Sequence, residues 1–134
     1  MYLFAIYLDG LSECLNKSSV GCLIGGRKIN HIVYADDIVL ISPSGKDLRT
    51  LLDICEEYAI SHLIKFNTVK SKILIVRSPS YSKLTFPKFH LAGSDLEEVT
   101  EYKYLGHFIT NNLSDNRDIT RAVNSLYASG MGIT

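Results

Sequence analysis

At 134 residues with 46% hydrophobic content, the chain is long enough for one compact domain with its own core. Fourteen Lys and Arg balance 14 Asp and Glu, which removes any general electrostatic case for a polyanionic partner. Cys14, Cys22 and Cys55 are odd in number and lack Cys-x-x-Cys spacing, which argues against a disulfide framework or a zinc site, and no apolar run approaches the ~18 residues that cross a bilayer.

The opening Met1-Tyr2-Leu3-Phe4-Ala5-Ile6-Tyr7-Leu8 has no basic region ahead of it and is interrupted by Asp9, so it is not read as a signal peptide, and an intracellular setting is expected. From Tyr2 to Leu15 the residues Leu3, Ile6, Tyr7, Leu11, Cys14 and Leu15 recur at the spacing of a helix with one buried face. That helix starts almost at Met1 without a Ser, Thr, Asp or Asn cap, which predicts that the chain begins inside an element of a larger domain.

Two short β-prone runs, Val20 to Ile24 and Ile29 to Tyr34, flank a turn at Gly25-Gly26-Arg27-Lys28, and Ile38 to Ile41 forms a third. Ala35 and Asp36 lie between the second and third runs, in a connection so short that it permits antiparallel pairing alone and predicts a hairpin with carboxylates at its tip. Ser44 stands three residues ahead of Asp47 at the entry to an amphipathic helix whose face carries Leu48, Leu51, Leu52, Cys55, Tyr58, Ala59 and His62. Strand-like runs return at Ile73 to Val76, Leu84 to Leu91 and Tyr102 to Ile109. A closing helix from about Asp115 to Ala128, with Ile119, Ala122, Val123 and Leu126 on one face, is predicted to end at Gly130. The order of elements indicates α+β, with helices covering one face of an antiparallel sheet.

Adjacent aspartates between Ile32-Val33 and Ile38-Val39-Leu40-Ile41 are expected to be drawn toward a core, where like charges are costly unless a divalent cation compensates them. Oxygen-only ligands favour magnesium or manganese over zinc. Neighbouring side chains point in opposite directions in a strand or tight turn, so one aspartate would lead in binding and the other support it. As a bare dipeptide Asp-Asp is weak evidence for a metal, because Asp is favoured in turns and a solvated tip accounts for it.

The longer string His31-Ile32-Val33-Tyr34-Ala35-Asp36-Asp37-Ile38-Val39-Leu40-Ile41-Ser42 closely resembles the catalytic hairpin of reverse transcriptases encoded by non-LTR retrotransposons. Other segments resemble that family in the same order. Leu3 to Leu11 is similar to the helix of the polymerase palm, Phe66-Asn67-Thr68-Val69-Lys70-Ser71-Lys72 to the next motif, and Tyr102-Lys103-Tyr104-Leu105-Gly106 to the primer-grip hairpin. The resemblance implies a single partial reverse-transcriptase domain over residues 1–134, with a palm portion at 1–110 and the start of a thumb helix at 111–134. It also implies a two-metal site: Asp36 as the principal ligand of Mg2+ or Mn2+, Asp37 as auxiliary ligand and Tyr34 beneath the primer terminus. The implied partners are an RNA template, a DNA primer and deoxynucleoside triphosphates.

No segment ahead of the hairpin resembles the family's upstream catalytic strand, nor its fingers, so the isolated chain is expected to lack polymerase activity and to use a metal only within a complete domain. Lys70 and Lys72 lie in a stretch from Tyr58 to Ser94 that holds six Lys and Arg and no acid, interleaved with Phe66, Tyr81, Phe86 and Phe89. That pattern suits phosphates and stacked bases, although lysines ahead of a strand are commonly just solvated. The resemblance implies that one of the two lysines either protonates the pyrophosphate leaving group or holds the triphosphate, and that Tyr104, Leu105 and Gly106 hold the primer. His31, His62, His90 and His107 show no metal-ligand pattern and are expected to be structural or exposed. The alternative function is a non-catalytic nucleic-acid-binding or interaction remnant of a retrotransposon. A partial palm would also leave apolar surface and an open strand edge beside the hairpin, favouring association.

Overall fold

The structure, a computed structural model, describes residues 2–81, 83 and 85–131. In chain order its elements are α1 (Tyr2–Lys17), β1 (Cys22–Ile24), β2 (Arg27–Ile29), β3 (His31–Tyr34), β4 (Asp37–Leu40), α2 (Gly45–His62), β5 (Lys72–Leu74), a 3-10 turn (Pro79–Tyr81), β6 (His90–Leu91), β7 (Ser94–Asp95), β8 (Glu97–Val99), β9 (Glu101–Tyr104), β10 (His107–Thr110) and α3 (Asn116–Met131). Helices and strands mix as the α+β reading expects. The expected sheet is instead a set of two-stranded ribbons, antiparallel at β1–β2, β3–β4, β6–β7 and β9–β10 and parallel at β5–β8. With two to four residues per strand, each ribbon's ladder ends before a wider sheet is built. The chain divides into two compact units, Met1–Thr68 with Phe86–Leu96, and Val69–Thr85 with Glu97–Thr134.

In the first unit α1 and α2 share a core of Leu8, Leu11, Leu15, Leu51, Cys55 and Tyr58, with Val20, Ile38, Leu40, Ile64 and Phe66 packed around it. The buried stripe of α1 is thus Leu8-Leu11-Leu15, whereas Ile6 and Tyr7, expected inside, are 67% and 43% exposed. The side chain of Leu3 lies outside the described residues. The reason is the seat of α2. Tyr58 Oη donates to the Tyr7 carbonyl at 2.7 Å, and its ring occupies the space where a Cβ on Gly10 would collide with it. A glycine therefore sets which side of α1 the partner helix can approach.

Helix α2 begins as the sequence predicts. Ser44 is its N-cap, in extended backbone, and its hydroxyl accepts from the Asp47 amide at 3.1 Å. The helix ends at Leu63, which adopts the left-handed conformation (φ 54°) while its amide donates to the Ala59 and Ile60 carbonyls. Leu51, Leu52, Cys55, Tyr58 and Ala59 are buried as expected, but His62 is exposed and stacks on the Tyr58 ring at a centroid distance of 3.8 Å. Burial, with Glu56 adding to it, pushes the Cys55 thiol up to about 12, which makes it an inert core group. Glu56 accepts from the Ala92 amide and so joins α2 to the β6–β7 turn, above the buried Phe89 and Leu91.

Several strand boundaries differ from the sequence reading. The first turn is Gly25-Gly26 alone, and Arg27 and Lys28 are inside β2, opposite Ile24 and Leu23. Of the run Leu84 to Leu91 only His90 and Leu91 are strand, and Leu84 lies outside the described residues. In the second unit, Tyr102 to Ile109 is a hairpin that reverses at Leu105-Gly106. Helix α3 continues through Gly130, and its apolar face is open, with Ile119 57%, Val123 41% and Leu126 73% exposed.

Candidate functional site

The aspartate hairpin forms as expected. His31 pairs with Leu40, Ile32 with Val39, Val33 with Ile38 and Tyr34 with Asp37, leaving Ala35 and Asp36 as a two-residue turn. At the three other two-residue turns, Gly25-Gly26, Ala92-Gly93 and Leu105-Gly106, both residues have positive φ and the second is glycine. Only Ala35 (φ 53°) does so here, and Asp36 does not. The turn that carries the acid is therefore built differently from its neighbours.

The hairpin is not drawn into the core. Asp36 and Asp37 are exposed, and so are Ile32, Val33 and Tyr34, whereas Ile38 and Leu40 of β4 reach the core cluster. The argument that burial forces a cation onto the two carboxylates is thus overturned, since water solvates both. What remains is a pair of oxygen donors of the kind a hard divalent cation takes, an incomplete set for such an ion. Among the described residues no group of three or more His, Cys, Asp and Glu is placed to hold a metal ion.

Tyr34, Asp36 and Asp37 belong to the first unit, and Lys70, Lys72, Tyr104, Leu105 and Gly106 to the second. Folding brings acids to Lys72, Arg77 and Lys88 of the acid-free basic stretch. Parallel pairing of β5 with β8 sets Lys72 opposite Glu97, and the two form an ion pair, beside another between Arg77 and Glu98. In the first unit Lys88 Nζ lies 3.1 Å from Asp95 Oδ2. Lys70 is exposed, and its carbonyl accepts from Tyr102 Oη at 3.4 Å. Of the interleaved aromatics, Phe89 is buried and Phe66 packs against the core, so neither is a stacking platform; the side chain of Tyr81 lies outside the described residues.

Around Tyr104-Leu105-Gly106 the structure adds residues that sequence reasoning missed. Arg117 of α3 pairs with Glu101, and its guanidinium lies 4.1 Å from the centre of the Phe108 ring. Arg121 donates to the Gly106 carbonyl at the turn. The Asp118 carboxylate accepts from the Phe108 amide at 3.1 and 3.2 Å, a bond that holds its pKa below the usual aspartate value, helped by Arg121 and His107. Leu105 (φ 49°) and Gly106 (φ 83°) are thus backed by one polar face of α3, which with Phe108 lines an open groove of about 510 Å³. The spacing Arg117-Asp118-x-x-Arg121 was visible as a polar helix face, but nothing local to α3 named the hairpin as its target.

The Tyr34-Ala35-Asp36-Asp37 turn lies inside a stretch of sequence that identifies the chain's class. Residues 1–109 match the reverse transcriptase (RNA-dependent DNA polymerase) family, and the chain belongs to it. It is 35% identical over 96 residues to an uncharacterised transposon-derived protein of Caenorhabditis elegans, covering 67% of this chain and 33% of that one. It is 28% identical over 110 residues to the retrovirus-related Pol polyprotein of the type-2 retrotransposable element R2DM of Drosophila melanogaster, covering 78% of this chain and 10% of the polyprotein. The match therefore spans a third of the first relative's length and a tenth of the second's. No solved structure matches the chain. No described helix is long and apolar enough to cross a membrane.

Proposed function

We propose that this chain is the part of a non-LTR retrotransposon reverse transcriptase that carries the hairpin carboxylates of the nucleotidyl-transfer centre. The observation that supports this most is the tight turn that sets Asp36 and Asp37 side by side in solvent at the end of a hairpin, inside the matched region. In this reading Asp36 and Asp37 would hold Mg2+ or Mn2+ together with a carboxylate from outside this sequence. Bound ions would lower the pKa of the attacking primer hydroxyl and neutralise charge on the phosphoryl group. Tyr34, 60% exposed beside the turn, would support the primer terminus. Palm residues would run to about 110, with α3 opening the thumb. Template RNA, primer DNA and deoxynucleoside triphosphates would be the partners of the complete enzyme.

Primer extension by the isolated chain tests the catalytic part. No incorporation is expected, and incorporation that vanishes in Asp36→Asn would overturn the claim that this chain needs further residues. Mn2+ titration followed by paramagnetic broadening tests the metal part: broadening centred on residues 34–38 is expected, and its equal presence in Asp36→Asn would overturn the assignment.

Non-catalytic nucleic-acid binding is a second reading, favoured by the groove on the second unit where Arg117, Arg121 and Phe108 meet. It predicts primer-template binding that weakens steeply with salt and survives Asp36→Asn.

A further inference from the structure

The base of the hairpin, at the end away from the aspartates, is fastened by a chain of hydrogen bonds through Asn30, His31 and Ser12. Asn30 is 2% exposed, and its amide nitrogen lies 2.6 Å from the Leu15 carbonyl of α1 and 2.9 Å from the Val20 carbonyl. Carbonyls only accept, so the NH2 group must be on that side and the amide oxygen on the other. That oxygen is 2.6 Å from His31 Nδ1. It too only accepts, so Nδ1 carries the ring proton. In the neutral ring Nε2 is then a bare acceptor, and the Ser12 hydroxyl, 2.6 Å away, must donate to it. Ser12 and Leu15 lie three apart on one face of α1, Asn30 and His31 begin β3, and the Asn30 carbonyl accepts at 2.8 Å from the Ile41 amide just beyond β4. One relay therefore joins the helix to both strands.

We infer that His31, in its neutral Nδ1–H form between Asn30 and Ser12, is a positioning residue that fastens the Asp36–Asp37 hairpin to α1. The consequence for metal binding rests on the role proposed above for the two aspartates, whereas the coupling of α1 to the hairpin stands without it. A hydrophobic side chain of similar size would fill the space but leave the Ser12 hydroxyl and the buried Asn30 oxygen without their partner. Burial lowers the pKa of His31, which favours the same neutral form. The ionisable groups carried by the elements around the joint are Asp9, Glu13, Cys14 and Lys17 of α1, Arg27 and Lys28 of β2, the Lys28 ammonium being taken up by the Asn16 and Ser18 carbonyls, and Asp37 of β4. None of these causes the shift, which is burial's alone. The sign follows: a histidine whose folded pKa lies below its ordinary 6.5 contributes fully above that value, and the contribution falls as pH drops through and below it.

Nitrogen-15 NMR and amide hydrogen exchange on the whole chain test the coupling. At neutral pH the His31 ring is expected as the Nδ1–H tautomer, titrating below an ordinary histidine. Protection at Ile32 and Ile41, corrected for the intrinsic pH dependence of amide exchange, should fall on acidification through that titration, and about tenfold at neutral pH in His31→Phe or in the milder Ser12→Ala, as loss of a buried hydrogen-bond partner implies. An Nε2–H tautomer would overturn the inference, as would hairpin exchange unchanged in Ser12→Ala. In a separate arm Ser12→Ala should weaken Mn2+ broadening at the turn. Absence of Mn2+ binding in the wild type would defeat the proposed metal role while leaving the exchange result to decide the coupling.

Discussion

Asp118 shows how a single side chain can join elements that the sequence keeps apart. Its carboxylate takes the backbone amide of Phe108 and lies 3.4 Å from His107 Nδ1 and 3.9 Å from Arg121 Nη2. Because its folded pKa is below the ordinary 3.8, its stabilising contribution is present above that value and is lost as pH falls through the folded pKa. Urea midpoints measured from pH 7 down to pH 2 should therefore fall more steeply in the wild type than in Asp118→Asn, and parallel curves would remove the assigned role. Gly10 is a second residue whose effect lies in what it lacks. Gly10→Ala must displace the Tyr58 ring and its bond to the Tyr7 carbonyl, and is expected to cost about 1–3 kcal/mol as overpacking. Urea unfolding checks it, with Gly21, where a Cβ would meet Lys28, Ile29 and Asn30, as a comparison.

At the scale of elements, two of the hairpin turns make opposite predictions. Gly106 has φ 83° and open space around a Cβ, so Gly106→Ala adds only the left-handed penalty, about 1 kcal/mol. Ala35 already bears that penalty at φ 53°, so Ala35→Gly is expected to be neutral to stabilising. Thermal unfolding of the two variants should give shifts of opposite sign or a null for Ala35→Gly, and equal destabilisation would contradict the turn geometry. The helices were legible because periodicity and capping are local: Ser44, Asp47 and the α2 stripe needed no knowledge of the rest of the chain. The short strands were less so. The run Leu84 to Leu91 reads as strand throughout, yet among the described residues only His90 and Leu91 pair, with Asp95 and Ser94.

Across the whole molecule, large apolar side chains stand in solvent. Ile119, Val123, Leu126 and Tyr127 of α3 are exposed in the second unit, and Ile6, Leu23, Ile24, Ile60 and Leu63 in the first. Such exposure favours association at working concentrations. Sedimentation velocity is expected to show concentration-dependent species for the isolated chain, reduced in the double variant Val123→Glu, Leu126→Glu. A monodisperse monomer at high concentration would refute it.

The sequence by itself determined the family, through the ordered motifs around Tyr34-Ala35-Asp36-Asp37, and it determined the hairpin, because so short a connection leaves a chain no other way to pair. It determined the helices, whose signals repeat within a few residues. Tertiary structure decided the electrical setting of each candidate group. The hairpin acids stand in water, Lys72 meets Glu97 across β5 and β8, and α3 rather than any neighbour in sequence backs the Leu105-Gly106 turn. Solvation and charge pairing depend on which distant residues come within a few ångströms, and that distance is a property of the folded chain alone.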